Sequence, residues 1–257
     1  MDEILNFGEF WDETGIRVHK DDIIKTNKEV GVIFARAYKY LKAAFAIYED
    51  NSVITNMALN GGEVNLYTAK LIDEIFDGME IAKKEGKQRS LFASAITPKG
   101  FCNYLDNILT VEKVYEIVGE IGTGEGKILE KIKTAAIERG CFVEAFYCAL
   151  NPYKLEHLII PNLNVAITTS NKYHNSTINK FDSIDMQQFF NQKILKRYKE
   201  DIYQNGTEFD NLMSIALLTV SRAKALHDRL ETYYIPNINF AAIDACFDRT
   251  MDRILKG

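Results

Sequence analysis

Apolar residues in the first third of the chain recur at steps of three and four, which is the period of one face of an α-helix. Residues 19–50 carry this pattern, and residues 64–84 resume it after a break marked by Asn51, Asn60, Gly61 and Gly62. The polar run KKEGKQR then predicts a hinge. The pattern therefore predicts a mostly helical region over residues 1–88.

Short apolar runs separated by glycine and proline replace the helical period after residue 88. A strand-like run is followed by a loop at Pro98 and Gly100 and by a predicted helix near 101–109. VYEIV then predicts a strand, ILEKIKTAAIERG predicts an amphipathic helix ending at Gly140, and CFVEAFYC and NLNVAITTSN predict two further strands. Strand, glycine loop, helix and strand in this order are typical of a βαβ unit with parallel strands.

The last part of the chain, from about residue 183, returns to the helical period and resembles the first part. The matching pairs are Asp2 and Asp182, Ile4 and Ile184, Phe10 and Phe190, Lys20 and Lys199, and Ile75 and Ile254. A constant offset of 179 to 180 residues favours an internal duplication over the chance similarity of amphipathic helices. Because no βαβ core precedes the first copy, we expect the chain to start inside its first unit.

The glycine-rich segment after VYEIV precedes a helix, which is the context of a phosphate-binding P-loop. Its candidate binding residues are Gly119, Gly122, Thr123, Gly124, Glu125, Gly126, Lys127 and Ile128. The pattern G-x-x-G-T-G normally continues with a Lys that neutralises phosphate charge and a Ser or Thr that binds Mg²⁺. Glu125 and Gly126 take those two places. A second register uses Lys127 as the lysine, but Ile121 then replaces a glycine and Ile128 replaces the hydroxyl.

Phosphoryl transfer from a Mg²⁺–nucleotide also needs an acidic residue at the end of a later strand. The candidate strand NVAITTSN ends in Thr168, Thr169 and Ser170, and Glu156 is expected outside that strand. Losing the lysine charge alone removes a major stabilising interaction for phosphoryl transfer. No residue of this chain is therefore predicted to be catalytic.

Glu125 itself suggests three arrangements. Its carboxylate could fold into the loop's nest of N–H groups as a phosphate surrogate, or point at the nest and repel nucleotide phosphates. The third arrangement is an ordinary first-turn acid that points to solvent. The first two predict weak nucleotide binding or none.

Composition narrows the function classes. A chain of 257 residues with 47% hydrophobic residues fits one large domain or two modest ones and is not mainly disordered. A net charge of −5 gives no sign of nucleic-acid binding, and no apolar run approaches the roughly 20 residues of a membrane helix. The N-terminus lacks the pattern of a secretory signal, so a cytoplasmic location is expected.

Metal chemistry is not expected from the sequence. The four cysteines lack CxxC spacing and the four histidines are scattered, so no metal site is predicted. Cys148 is expected to be a buried thiol at the end of an apolar run. His157 and His174 are expected to be solvated loop residues near the glycine loop.

Several stretches resemble a family of bacterial ATPase-like proteins of unassigned function that carry two tandem P-loop units. These are LFASAITPKGFCNYLD, the glycine loop, AAIERGCFVEAFYCALNPYKLEHLIIPNLNVAI, and AYKYLKAAFAIY in the first helical region. The similarity spans the end of the family's first unit and the whole second unit. The family's loop reads Gly-x-Pro-Gly-Thr-Gly-Lys-Ser-Thr and its third strand ends in Asp, so Ile121, Glu125, Gly126 and Thr168-Thr169 depart from it. His174 resembles the family's His just after that strand.

We therefore expect an α/β fold with a P-loop NTPase-like parallel sheet core over 89–180, flanked by large helical regions over 1–88 and 181–257. The leading hypothesis is a degenerate, non-hydrolysing P-loop protein that acts as a regulatory or scaffolding unit and binds ATP or another nucleotide weakly. Two alternatives stay open: an ATP-binding protein or ATPase that uses Lys127 in an altered loop, and a helical protein-interaction module. The expected partner is a second copy or a separate P-loop protein, and neither nucleic acid nor a membrane is expected.

Overall fold

The structure is a computed structural model that describes residues 4–120 and 122–256. Asp2 and Ile121, which were interpreted from the sequence, lie outside the described residues. The chain forms two compact units. One comprises the segment up to Ala37 together with the segment from Leu218 onward, and the other is Tyr38–Leu217. The α/β core and the glycine loop belong to the second unit.

Helices make up most of the chain outside the central α/β region. They are α1 (Glu13–Val18), α2 (Lys20–Ala58), α3 (Gly61–Ile75), α4 (Leu105–Ile108), α5 (Gly126–Glu138), α6 (Gln192–Arg197), α7 (Lys199–Tyr234) and α8 (Phe240–Lys256). None of the helices in the described part of the chain combines the length and the apolar character that a membrane crossing requires.

The strands form a six-stranded sheet and a separate hairpin. They are β1 (Gln88–Phe92), β2 (Ser94–Thr97), β3 (Gly100–Asn103), β4 (Lys113–Val118), β5 (Val143–Tyr147), β6 (Leu155–Ile160), β7 (Val165–Ser170) and β8 (Asp182–Asp185). The sheet order is β1-β5-β6-β7-β4-β8, and β2 pairs with β3. Only the pairs that involve β6 are antiparallel within this sheet. The unit is therefore mixed α/β with a mostly parallel sheet.

The core lies between α5 and one face of the sheet. Ile128, Leu129 and Ile132 follow helical spacing on α5 and are fully buried against the apolar side chains of the sheet. Strands β6 and β7 are buried along almost their whole length, because both of their faces are covered. Gly140 ends this helix region with a φ of +79°.

Several predicted elements are confirmed. The predicted strands at VYEIV, CFVEAFYC and NVAITTSN are β4, β5 and β7, and the helix before Gly140 is α5. Strands β4 and β5 are parallel as expected for a βαβ unit, but β7 and β6 lie between them.

Other predicted boundaries are wrong. The break between the first two helices lies at Asn60 as expected but does not include Asn51, because α2 continues to Ala58 with the Ser52 hydroxyl bonded to a carbonyl of the preceding turn. The helix expected near 101–109 begins only at Leu105, because β3 occupies its start. The second predicted helix, over 64–84, ends at Ile75. Three strands were not predicted: β3, β6, and β8 within the region expected to be wholly helical.

The helical elements recur at the offset read from the sequence. A short 3-10 helix begins at Phe7 and again at Met186, α1 matches α6, α2 matches α7, and α3 matches α8, each pair beginning 179 residues apart. The connections recur too: Trp11 bridges to Ile238, and Phe190 bridges to Leu59 in the other unit. Each bridge therefore joins the start of one repeat to the end of the other.

Candidate functional site

The glycine loop connects β4 to α5 at the carboxyl edge of the parallel strands. Gly122 and Gly124 both have a φ of +86°, which favours glycine. A Cβ on Gly122 would lie 3.2 Å from the backbone of Ser52, so α2 approaches the loop closely. The Thr55 hydroxyl also donates to the carbonyl of Gly122, at 2.6 Å. The end of α2 therefore fills one side of the loop and fixes its path.

Glu125, at the position of the P-loop lysine, has 0% of its surface exposed. Its Oε1 accepts a hydrogen bond from Lys154 Nζ at 2.5 Å, and its Oε2 accepts one from Thr123 Oγ1 at 2.9 Å. Lys154 comes from the connection between β5 and β6. Burial acts to lower the pKa of Lys154, but Glu125, Tyr48 and Glu156 together outweigh burial and hold this pKa above its usual value. The two side chains form a buried ion pair beside the loop.

This geometry excludes one of the three arrangements considered for the Glu125 side chain. The arrangement in which its carboxylate points to solvent is wrong, because the side chain turns inward to a lysine that the sequence analysis did not single out. The recorded partners of the carboxylate are the Thr123 hydroxyl and the Lys154 ammonium rather than the N–H groups of the loop.

A cavity of about 650 Å³ lies beside the loop, lined by parts of α2, α3 and α5. Gly124, Gly126, Lys131 and Lys154 are on its wall together with Lys127. The Nζ of Lys127 donates to Asn56 Oδ1 of α2 at 2.9 Å. The cavity therefore presents several ammonium groups and glycine backbone next to the loop.

A β-bulge in β6 shapes the other side of the site. Tyr147 of β5 pairs with Leu155, whereas the preceding Phe146 pairs with His157, so Glu156 is the extra residue. Successive residues of a regular strand face opposite sides of a sheet, and a bulge breaks that alternation. Glu156 and His157 therefore both place donor atoms in one cluster with His174.

His174 lies in a turn directly after β7. Asn171 Oδ1 accepts the backbone N–H of His174 at 3.1 Å, and His174 Nε2 lies 3.2 Å from Glu156 Oε2. Burial lowers the pKa of His174, although the Glu156 carboxylate opposes this. Burial, aided by His174 and Lys154, lowers the pKa of His157 well below its usual value. Both imidazoles are therefore neutral at pH 7.

The expectation that His157 and His174 are solvated loop residues is wrong. His157 is 1% exposed because it belongs to the interior strand β6. His174 is 3% exposed because the turn after β7 directs it toward the protein interior. Glu156 lies outside β7 as expected, in β6, but its carboxylate reaches the cluster beside Lys154. Cys148 is buried as expected, and burial together with the Glu156 charge raises the pKa of its thiol to about 12.

The sequence-predicted loop residues have different surroundings. Thr123 and Glu125 form one buried hydrogen-bonded group, and Lys127 reaches α2. Ile128, the hydroxyl position of the second register, is a core residue. A Cβ on Gly119 would collide with the Thr123 hydroxyl, and one on Gly126 would lie 3.3 Å from the carbonyl of Leu155. The glycines therefore allow close packing around the loop.

Sequence reasoning missed Lys154 and the contribution of α2. The one available signal for Lys154 was its place two residues before Glu156, at the start of an apolar run. The approach of Ser52 and Thr55 depends on the tertiary path of a long helix and has no local signature. Comparison of the chain with known protein families, with curated proteins and with solved structures gave no match.

Proposed function

We propose that this chain is a degenerate P-loop NTPase-like unit that does not hydrolyse nucleotide and acts as a regulatory or scaffolding unit. The observation that carries the proposal is the burial of Glu125 at the position of the phosphate-binding lysine, with Lys154 as its ion-pair partner. The setting of a glycine loop between a parallel strand and a helix, and the resemblance in sequence, support the P-loop ancestry.

The charge at the loop opposes phosphate binding. A P-loop holds phosphate through backbone N–H groups and a lysine ammonium. Here the loop position carries a carboxylate, and the ammonium of Lys154 is already engaged at 2.5 Å by that carboxylate. A nucleotide phosphate would have to compete with Glu125 for Lys154 in a low-dielectric environment, where charge interactions are strong.

The Mg²⁺-binding side of the reaction also lacks its groups. Gly126 offers no hydroxyl, and β7 ends in Thr168, Thr169 and Ser170 without a carboxylate. Phosphoryl transfer depends on positioning and on neutralising the charge of the phosphates with metal and lysine. Loss of both contributions supports a non-hydrolysing role.

A second candidate is a weak nucleotide-binding protein without this block. The cavity of about 650 Å³ beside the loop favours it, because Lys127 and Lys131 line a space that can hold a small anionic molecule. This candidate differs from the leading one in predicting that the Glu125→Gln variant binds nucleotide with the same affinity as the wild-type chain.

Turnover of ATP in the presence of Mg²⁺ tests the proposal. We expect the purified chain to release phosphate at the rate of a no-protein blank, and the Glu125→Gln variant to do the same, since the Mg²⁺-binding acid is still missing. Release by the wild-type chain above both the blank and the Glu125→Gln control would show a working ATPase and overturn the proposal.

A further inference from the structure

A second polar cluster lies behind the Glu125–Lys154 pair and is not used by the proposed function. One donor atom from each of Glu156, His157 and His174 lies within 4.8 Å of the other two. All three side chains are buried. Within the described part of the chain, His157 Nε2 and His174 Nδ1 have no hydrogen-bond partner, and Glu156 Oε2 lies 3.2 Å from His174 Nε2. Buried polar atoms without partners are rare in native proteins and need a physical explanation.

The tautomer of His157 prepares one of these atoms as a ligand. Its Nδ1 lies 2.7 Å from the Thr168 hydroxyl, and that hydroxyl is oriented toward the carbonyl of Thr169 at 3.4 Å. A ligand role for His157 requires the tautomer in which Nδ1–H donates to the hydroxyl oxygen and the hydroxyl proton goes to the carbonyl. This leaves a lone pair on the unpartnered Nε2, which faces the cluster. Metal-binding histidines are oriented by a hydrogen bond of this kind on the other ring nitrogen.

The charge balance of the region also calls for a cation. Lys154 Nζ lies 2.5 Å from Glu125 and 3.7 Å from Glu156, so one ammonium serves two buried carboxylates. Among the ion pairs of the described residues, Lys154 is the one lysine or arginine that faces Glu156. A buried carboxylate without compensation is costly, and a bound cation is one way in which proteins compensate it.

We propose that Glu156, His157 and His174 bind one divalent transition-metal ion of the zinc class at the carboxyl edge of the sheet. Two imidazole nitrogens and a carboxylate oxygen suit Zn²⁺ and its neighbours, whereas Mg²⁺ prefers oxygen ligands. Ligands of zinc lie about 2.1 Å from the ion, so small side-chain rotations bring these three donors into place. The expectation of no metal site rested on motif spacing, and a cluster built by a β-bulge and a turn has no such spacing.

Another group of potential ligands, His227, Asp228 and Glu231, does not meet the same conditions. It lies on the surface of α7, and Asp228 is already paired with Lys224. This group serves as the control in the experiment.

Metal binding is tested on the full chain after treatment with a chelator and desalting. Titration with Zn²⁺ should show about one saturable site per chain and a higher unfolding temperature, and Mg²⁺ at the same concentration should do neither. Co²⁺ in place of Zn²⁺ should give the visible absorption of a nitrogen- and oxygen-ligated ion. Absence of saturable Zn²⁺ binding and of the Co²⁺ absorption would overturn the proposal.

Variants locate the site. Glu156→Gln and His174→Gln should each lower Zn²⁺ affinity by about 100-fold or more, because each variant removes a ligand. Loss of a ligand costs more affinity than loss of a residue that only orients a ligand. His227→Gln should leave the affinity unchanged. Loss of binding in His227→Gln, or full binding in both ligand variants, would place the ion elsewhere. Should either ligand variant fail to fold, the Co²⁺ spectrum of the wild-type chain decides.

Variants of two neighbouring threonines distinguish an effect on the orientation of His157 from a general effect on core packing. Thr168→Val removes the oxygen that orients His157 and should lower Zn²⁺ affinity by about 10- to 100-fold. Thr169→Val removes a buried hydroxyl that has no hydrogen-bond partner among the described residues, and it should leave the affinity unchanged. Equal effects of the two variants would contradict the assigned tautomer and the site built on it.

Discussion

At the scale of single residues, the buried pair of Glu125 and Lys154 is the feature that separates this loop from a phosphate-binding one. The pair is specific in geometry, since the second carboxylate oxygen is satisfied by Thr123. Each member is costly to bury alone, and together they neutralise each other. The pair is therefore a constituent of the fold, and in the proposed function it also blocks phosphate.

Breaking this pair from one side should destabilise the protein strongly. Lys154→Met leaves the Glu125 carboxylate buried without its cation, and we expect a loss of about 3–5 kcal/mol in the free energy of unfolding. The double variant Glu125→Gln/Lys154→Met removes both charges of the pair and should recover part of that loss, since Glu156 still lacks the ammonium. Urea unfolding of the wild type, the two single variants and the double variant measures the coupling. Additive losses would show that the two side chains do not depend on each other.

At the scale of secondary-structure elements, the contact between α2 and the glycine loop sets the loop's conformation. We expect Gly122→Ala to destabilise the fold by about 1–3 kcal/mol, because Gly122 has a φ of +86° and a Cβ there would meet Ser52. Gly206→Ala is the matched control: Gly206 is in α7 with nothing within 4 Å of its added Cβ, so alanine should stabilise by about 0.5–1 kcal/mol. Thermal unfolding distinguishes the two. A neutral Gly122→Ala would mean that the loop is free to move away from α2.

The elements also show what the sequence could predict. Long amphipathic helices such as α5 and α8 could be predicted from the sequence, because their apolar period persists over many residues. The apolar run LEHLII has no clear period, so β6 and its antiparallel direction were missed. The bulge at Glu156 depends on pairing with β5, and the turn at His174 buries a residue type that is usually exposed. Local sequence gave no sign of either, and both histidines were misassigned for that reason.

At the scale of the whole molecule, the two helical repeats differ in what covers them. Thr68 and Phe76 lie on and just after α3 and are buried in the unit that contains the α/β core. Their counterparts 179 residues later, Phe247 and Leu255 of α8, are 62% and 76% exposed. An exposed apolar face of this kind is typical of an interaction surface.

This difference leads to a prediction about assembly. We expect α8 to associate through this face with a second copy of the chain. Sedimentation velocity should show a mass that rises with concentration, and Phe247→Glu should shift the chain toward the monomer. Tyr203→Glu, on an exposed position of α7, is the control and should have no effect. A monomer at every concentration would contradict the homodimer.

The central claim is that Glu125 blocks phosphate binding by occupying Lys154, and calorimetric titration with Mg²⁺–ATP tests it most directly. The wild-type chain should bind weakly or give no measurable heat. Glu125→Gln frees the Lys154 ammonium for phosphate and should raise the affinity by about 10-fold or more, the value of one charge-assisted hydrogen bond. Adding Lys154→Met to that variant should abolish the gain. Tight binding by the wild type, or an unchanged affinity in Glu125→Gln, would contradict the account.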